Sequence, residues 1–273
     1  MSGARRSGPW IALAILAAAS VVLASSTGIW QRGLGLLFPD TATLLYPRAD
    51  PAWLVGEHLL LVGVSSVLAV TVGMGLGILV TRPRGLPFLP VAERLAAVVQ
   101  TFPPAAVLAL SVPALGFGFS PTIAALFLYS VLPILRNTLE GLRTVSADAV
   151  DAARGMGMTP GQVLARVEMP LALPVILAGV RTSVIVNVGT ATIGATIGAG
   201  GLGAPIISGL VNQNPAFLTE GTLIVGLLAL TIDTAFAAVE SALGGGRQGR
   251  GAGGARGSEA GRAALDPTGR DTA

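Results

Sequence analysis

Residues Ser146 to Pro170 read SADAVDAARGMGMTPGQVLARVEMP, the longest charged and amphipathic interval between two strongly apolar segments of the chain. The first half predicts a short helix. Ser146 is placed to cap it, Asp148 lies in the first turn and Arg154 in the last, each favourable to the helix dipole. Ala149, Ala152, Ala153 and Met156 recur at helical spacing on one small apolar face, while Asp148 and Asp151 share another. Gly155-Met156-Gly157 then ends the helix, because glycine adopts the positive φ of a C-terminal cap without steric cost. Thr159-Pro160-Gly161-Gln162 predicts a second start: a Thr-x-x-Gln capping box with proline at the first helical position. Two short helices at a glycine elbow make a compact knob whose apolar face suits a groove on another protein. The plainer alternative is an ordinary amphipathic loop.

The composition around this stretch is that of a polytopic membrane protein. Of 273 residues, 52% are hydrophobic and 11% charged, with a mean hydropathy of +0.74, whereas a soluble domain carries about 25% charged residues. There is no cysteine, hence no disulfide and no thiolate metal site. The single histidine, His58, speaks against a histidine-based metal or acid–base site, and no cofactor is expected. All seventeen basic residues are arginine. Without lysine there is no Walker A loop, so any ATP dependence belongs to another chain.

Six spans are expected. Pro9 to Ser26 is apolar and flanked by Trp10 and Trp30, which suit membrane interfaces; it reads as an uncleaved transmembrane helix or, alternatively, a signal peptide. Thr27 to Glu57 reads as a long polar connection. His58 to Val80 forms a second span, long enough for a ~30 Å hydrocarbon core, with Gly73, Gly75 and Gly77 permitting close helix approach. A third span, Leu95 to Leu115, is interrupted at Gln100-Thr101-Phe102-Pro103-Pro104 and again at Pro113. The fourth runs from Pro121 to Leu139 with a kink near Pro133, the fifth from Leu173 to Gly194, and the sixth from Gly221 to Leu243. Three divisions follow: residues 1–57, an N-terminal helix with its external connection; residues 58–243, a core carrying the 146–170 loop; and residues 244–273, a disordered cytoplasmic tail. The tail is rich in Gly and Arg and lacks aromatics, so it cannot bury enough surface to order itself, nor stack on bases as a nucleic-acid segment would.

Arginine placement gives the orientation. With both termini cytoplasmic, Arg5, Arg6, Arg82, Arg84, Arg94, Arg136, Arg143, Arg154, Arg166, Arg181 and the five tail arginines lie inside, and only Arg32 and Arg48 outside. The basic isoelectric point thus reflects membrane sidedness, and no nucleic-acid partner is expected.

Polar residues at membrane depth are the candidate path. Gln100, Thr101, Pro103 and Pro104 break the third span, and irregular backbone at that depth survives only where protein buries it or water lines it; the alternative is a kink for packing. Ser183, Asn187, Thr190 and Gly194 form one stripe of the fifth span, for pore lining or for helix–helix hydrogen bonding. Asp233, in the sixth, is either functional or paired with a donor such as Arg181 or Asn187. Gly198-x-Gly200-x-x-Gly203 matches a dinucleotide fingerprint but follows a membrane helix and reads as a flexible turn. Aromatics are few and form no cluster in the sequence, so an aromatic cage for a quaternary ammonium ligand is expected on a separate protein.

The spacing in the opening stretch is more specific than its physics. Asp151-Ala152-Ala153, three residues, Gly157, nine residues and Val167-Glu168-Met169-Pro170 resembles the coupling loop of ABC importer permeases, with Asp for Glu, Val for Ile and Met for Leu. Gln100 to Pro104, Tyr129 to Asn137 (YSVLPILRN), Arg154 to Thr159 (RGMGMT) and Ile197 to Gly203 (IGAGGLG) resemble the glycine betaine, carnitine and choline permeases, a resemblance covering roughly residues 58–240. The resemblance implies an all-α integral membrane protein of MetI-like fold. It assigns ATPase coupling to Asp151, Ala152, Ala153, Gly157, Val167 and Pro170. It also implies a second permease subunit, identical or different, an ABC ATPase subunit below and an extracytoplasmic substrate-binding protein above. Alternatives are the same machine for an amino acid such as methionine, an ion-coupled secondary transporter using Asp233, and a membrane scaffold.

Overall fold

The computed structural model describes residues 4–244, and the described residues are helical with no strand. The expected disordered tail lies outside them. In chain order the helices are α1 (Ala4–Ser25), α2 (Thr27–Leu37), α3 (Pro51–Thr81), α4 (Leu89–Thr101), α5 (Pro104–Leu115), α6 (Phe119–Arg143), α7 (Ala147–Gly155), α8 (Pro160–Val163), α9 (Met169–Thr190), α10 (Gly203–Val211) and α11 (Pro215–Gly244).

Five stretches are long and apolar enough to cross a membrane: Gly8–Ser25, Pro51–Thr81, Phe119–Arg143, Pro160–Ile197 and Pro215–Leu243. The interrupted third span is the pair α4 and α5, parted at Phe102-Pro103 as the proline pair dictates. Two expectations need correction. The Thr27–Glu57 connection is largely helical: Trp30 and Leu34, four residues apart, bury one face of α2, and Trp30 Nε1–H donates to the Leu23 carbonyl at 2.7 Å. Pro51 at the first helical position opens α3 two turns before His58. The second helix of the 146–170 loop is not short, because α8 continues through a π-helical turn, Leu164–Glu168, into α9 and a 3₁₀ segment, Ala191–Ile197. Pro170 lacks an N–H and its ring would crowd the Arg166 carbonyl in a regular helix; widening by one residue, with Met169 N–H donating to Leu164 O, removes the clash without ending the helix.

α3, α6 and α9 pack on one another at the centre; α11 closes one side with α10, and α1 lies against α11, where Ser20 Oγ and Thr231 Oγ1 are 2.9 Å apart. Leu61, Leu126, Leu132, Ile134, Leu135 and Ile176 are fully enclosed. Small residues set the separations. A Cβ on Gly77 would sit 2.6 Å from Thr138 Cγ2, and one on Gly179 would sit 2.4 Å from Asn137 Cβ. Gly73 and Gly77 therefore serve the close approach expected of them, whereas Gly75 faces outward with open space beside it. This contrast gives a test. Gly179→Ala should destabilise the detergent-solubilised protein by about 1–3 kcal/mol through overpacking, and Gly75→Ala should leave it unchanged. Thermal unfolding followed by fluorescence-detected gel filtration would show it, and equal midpoints would contradict the packing described.

Candidate functional site

The 146–170 loop projects from one end of the bundle. Ser146 Oγ accepts from Ala149 N–H at 3.4 Å, and the capping box is complete: Gln162 N–H donates to Thr159 Oγ1 at 3.4 Å and Thr159 N–H donates to Gln162 Oε1 at 2.9 Å. At the elbow Gly157 has φ +80°, its N–H donates to Arg154 O at 2.8 Å, and a Cβ there would meet nothing within 4 Å. Glycine is thus required by backbone conformation and not by space. The apolar face divides. Ala153 is buried against its own chain, as is Val163, while Ala152 and Met156 are exposed, Met156 by 72%. Asp151 is exposed and 3.5 Å from Arg154. Val167 is half-buried and Pro170 exposed. Arg82, just past α3, forms a 2.7 Å ion pair with Glu168 of the π turn, fixing the loop to the end of α3.

The break between α4 and α5 is tied to α6 by two bonds. Pro133 cannot donate to the Tyr129 carbonyl, and Gln100 Nε2–H donates to it instead at 3.2 Å. At the break Ala106 N–H donates to the Pro103 carbonyl and not to Phe102, and the Tyr129 hydroxyl donates to the Phe102 carbonyl in its place. Gln100, Thr101 and Pro103 are exposed, so the break lies on the outside of this single chain. Pro104 and Thr190 line one narrow crevice with Thr122 and Gly194, bringing together the break and the stripe of α9.

The stripe itself is split. Ser183 and Asn187 are 2% and 1% exposed. Ser183 Oγ–H donates to the Ser130 carbonyl at 3.2 Å, and Asn187 Nδ2–H reaches Ser65 Oγ and Ser66 Oγ at 3.3 and 3.4 Å. Both residues thus hydrogen-bond between helices of this chain, the second of the two roles expected for them, while Thr190 is half-buried at the crevice. Asp233 pairs as anticipated: the Arg181 guanidinium lies 2.7 Å from Asp233 Oδ1 and 3.0 Å from Glu240 Oε2. Glu240, two turns beyond Asp233, was missed, although the spacing of seven residues on one helix face was the available signal.

At the opposite end the glycine-rich turn is a built feature. Gly198, Gly200 and Gly201 have φ of +82°, +77° and +67°, and Gly201 N–H donates to Glu57 Oε2 at 2.9 Å. Beneath it His58 is fully buried, its Nε2–H donating to the Val188 carbonyl at 2.9 Å. No group of three or more metal-ligating side chains occurs among the described residues.

Membrane-length helices, a broken segment tied by side chains and a capped projecting knob define a membrane-embedded transport component. The chain belongs to the family of binding-protein-dependent transport system inner membrane components, whose model matches residues 73–244. It is similar to the choline transport system permease protein OpuBB of Bacillus subtilis, 42% identical over 187 residues, covering 68% of this chain and 85% of that protein. It is similar to the osmoprotectant import permease protein OsmY of Salmonella typhimurium, 41% identical over 217 residues, 80% of this chain and 89% of that protein. Its fold matches a chain of the inward-facing MetNI methionine ABC transporter with TM-score 0.63 at 23% identity, covering 70% of this chain and 97% of that one. The chain is accordingly the permease subunit of an ABC importer, a transport component and not an enzyme.

The charge cluster predicts an asymmetric response. Arg181→Met leaves two carboxylates on one face of α11 without their cation and should lower the yield of folded protein. Adding Asp233→Asn and Glu240→Gln to it should recover much of that yield, as read by monodisperse protein after solubilisation. A triple variant no better than Arg181→Met would show that the guanidinium acts through something other than these pairs.

Proposed function

We propose that this chain provides the translocation path for an osmoprotectant of quaternary ammonium type, such as glycine betaine, choline or carnitine, in an ATP-driven importer. The observation that carries the reading is the 41–42% identity, over most of the chain, to permeases named for choline and osmoprotectant import. The methionine importer shares the fold at 23% identity, which supports the architecture and not its substrate. Two permease subunits, identical or different, would enclose the path. An ABC ATPase would receive the knob through Asp151, Ala152, Ala153 and Gly157, with Val167 and Pro170 carrying the movement into α9. A binding protein would deliver substrate at the opposite end. Residues 58–243 would form this core, and residues 1–57 an additional helix and connection at its side.

Gln100, Thr101, Pro103 and Pro104 would face the path when two subunits pair, because the single chain leaves the first three exposed at the break and Pro104 in the crevice. Thr190 would join them there. Ser183 and Asn187 would hold the wall behind, through the bonds they make to α3 and α6.

The arginine asymmetry supports a cytoplasmic position for both termini and the knob. A cysteine introduced at Ala42 should be labelled by an impermeant maleimide in intact cells, and one introduced at Ser2 should not. The reverse pattern would invert the topology.

The decisive experiment uses the whole importer in vesicles, with binding protein and ATPase. Uptake of labelled glycine betaine or choline should require ATP and the binding protein; uptake of methionine alone, or uptake driven by an ion gradient, would overturn the reading. Gly157→Val, which forces a β-branched residue to positive φ at a cost of about 1–2 kcal/mol, and Asp151→Lys should leave membrane levels near normal. Each should weaken ATPase recovery or uncouple hydrolysis from uptake. Gly157→Asn, tolerant of positive φ, should stay coupled. Normal uptake in the first two variants would leave the loop a mere linker.

A further inference from the structure

The two sides of an open pocket at the end of the bundle remote from the knob come from distant parts of the chain. It has a volume of about 360 Å³ and is lined by Trp53, Gly56, Glu57 and Leu60 of α3, Phe119 at the start of α6 and Ala199 of the glycine-rich turn. Trp53 is 65% exposed and Phe119 39%, so neither ring is consumed by core packing. Glu57 lines the same pocket. It is held in place, since Gly200 and Gly201 at positive φ wrap their backbone around it and a Cβ on Gly200 would lie 2.5 Å from Glu57 Oε2. Among the described residues its one hydrogen bond comes from Gly201 N–H on Oε2, and no arginine lies within ion-pair distance of it. A fixed carboxylate with no cation, in one pocket with two available aromatic rings, is an incomplete electrostatic arrangement.

Chemistry selects what completes it. A small metal ion would need several oxygen ligands, and only one side-chain carboxylate lines the pocket. A primary ammonium would need hydrogen-bond acceptors on several sides, while most of this wall is hydrocarbon and ring. A trimethylammonium group donates no conventional hydrogen bond, spreads its charge over methyl surfaces and is attracted to ring faces and to a carboxylate at contact distance. The aromatic cage expected to lie only on a separate protein therefore has a smaller counterpart here, hidden in the sequence because its rings belong to α3 and α6.

We propose that Trp53, Phe119 and Glu57 form a low-affinity acceptor site for a cationic quaternary ammonium headgroup on the permease itself, at the mouth where the binding protein would release its cargo. The site rests on the osmoprotectant reading above and refines it. Because Glu57 is the only charged group lining the pocket among the described residues, a ligand of net charge +1 such as choline binds it better than a zwitterion such as glycine betaine, whose own carboxylate is repelled.

Ligand-detected saturation-transfer NMR on the methyl protons of choline tests this with the purified permease–ATPase complex. The complex is held in nanodiscs free of choline lipids, without binding protein. Choline should give a saturable signal, weaker for glycine betaine and about tenfold weaker for the neutral isostere 3,3-dimethylbutan-1-ol. Trp53→Ala and Phe119→Ala should each weaken choline by about tenfold. Glu57→Gln, which keeps an acceptor for Gly201 N–H, should weaken choline similarly and leave the isostere unaffected. No saturable signal, equal binding of choline and its isostere, or unchanged binding in all three variants would overturn the site. ATP-driven uptake measured in parallel separates the two claims. Choline or glycine betaine transport without pocket binding removes the site and leaves the function. Pocket binding without transport of any quaternary ammonium compound removes the osmoprotectant reading instead.

Discussion

A backbone amide or carbonyl surrounded by hydrocarbon has to find its partner within the protein, and this requirement governs the fold. Regular helices meet it automatically. Prolines inside helices do not, and three sites show how the defect is met. Tyr129 O, deprived by Pro133, receives Gln100; Phe102 O, at the Pro103-Pro104 break, receives the Tyr129 hydroxyl; the strain at Pro170 is absorbed by one π turn. The break thus became possible because α6 carries both the defect and the donor that repair it. A polar side chain at a break is therefore first a backbone partner, and only then a candidate for solute contact.

α3 connects the two working ends. At its start Glu57 binds the glycine-rich turn, and just past its end Arg82 binds the base of the knob at Glu168. The 31 residues of α3, at about 1.5 Å each, form a strut that reaches across the hydrocarbon. Because a helix is stiff along its axis, a displacement of the knob at one end would be carried to the turn at the other. The continuous run from Pro160 to Ile197 makes a second such link, since the knob's own second helix is the start of α9. Rigid connection of this kind suits alternating access, where one mechanical input opens one end and closes the other.

The charged residues inside the bundle follow the same economy. Arg181 pairs with two carboxylates two turns apart on α11, which holds α11 to α9 where small residues alone would leave only van der Waals contact. His58 and Asn187 add neutral bonds between α3 and α9. Polarity at depth is concentrated in seams between helices, and the outer faces are left to apolar side chains such as Leu59, Val67 and Leu68.

The sequence by itself determined what depends on neighbours within a few residues. The Thr159 capping box, the Ser146 cap, the Gly157 elbow and the break at Pro103-Pro104 were all legible, because caps and prolines act through backbone groups at most four positions away. Apolar length gave the spans, and the ordered spacing from Asp151 to Pro170 gave the class of transporter. Only the tertiary structure decided which polar residues meet. The sequence placed Ser183, Asn187 and Thr190 on one stripe, but rotation of α9 against α3 and α6 buried the first two and left the third at the crevice. Nor could it show Glu57 within the glycine turn, Arg82 on Glu168, or Trp53 and Phe119 in one pocket, since each joins distant parts of the chain. Helix rotation and partner choice are set by interlocking small residues such as Gly179 against Asn137, and that fit exists only once the helices are packed.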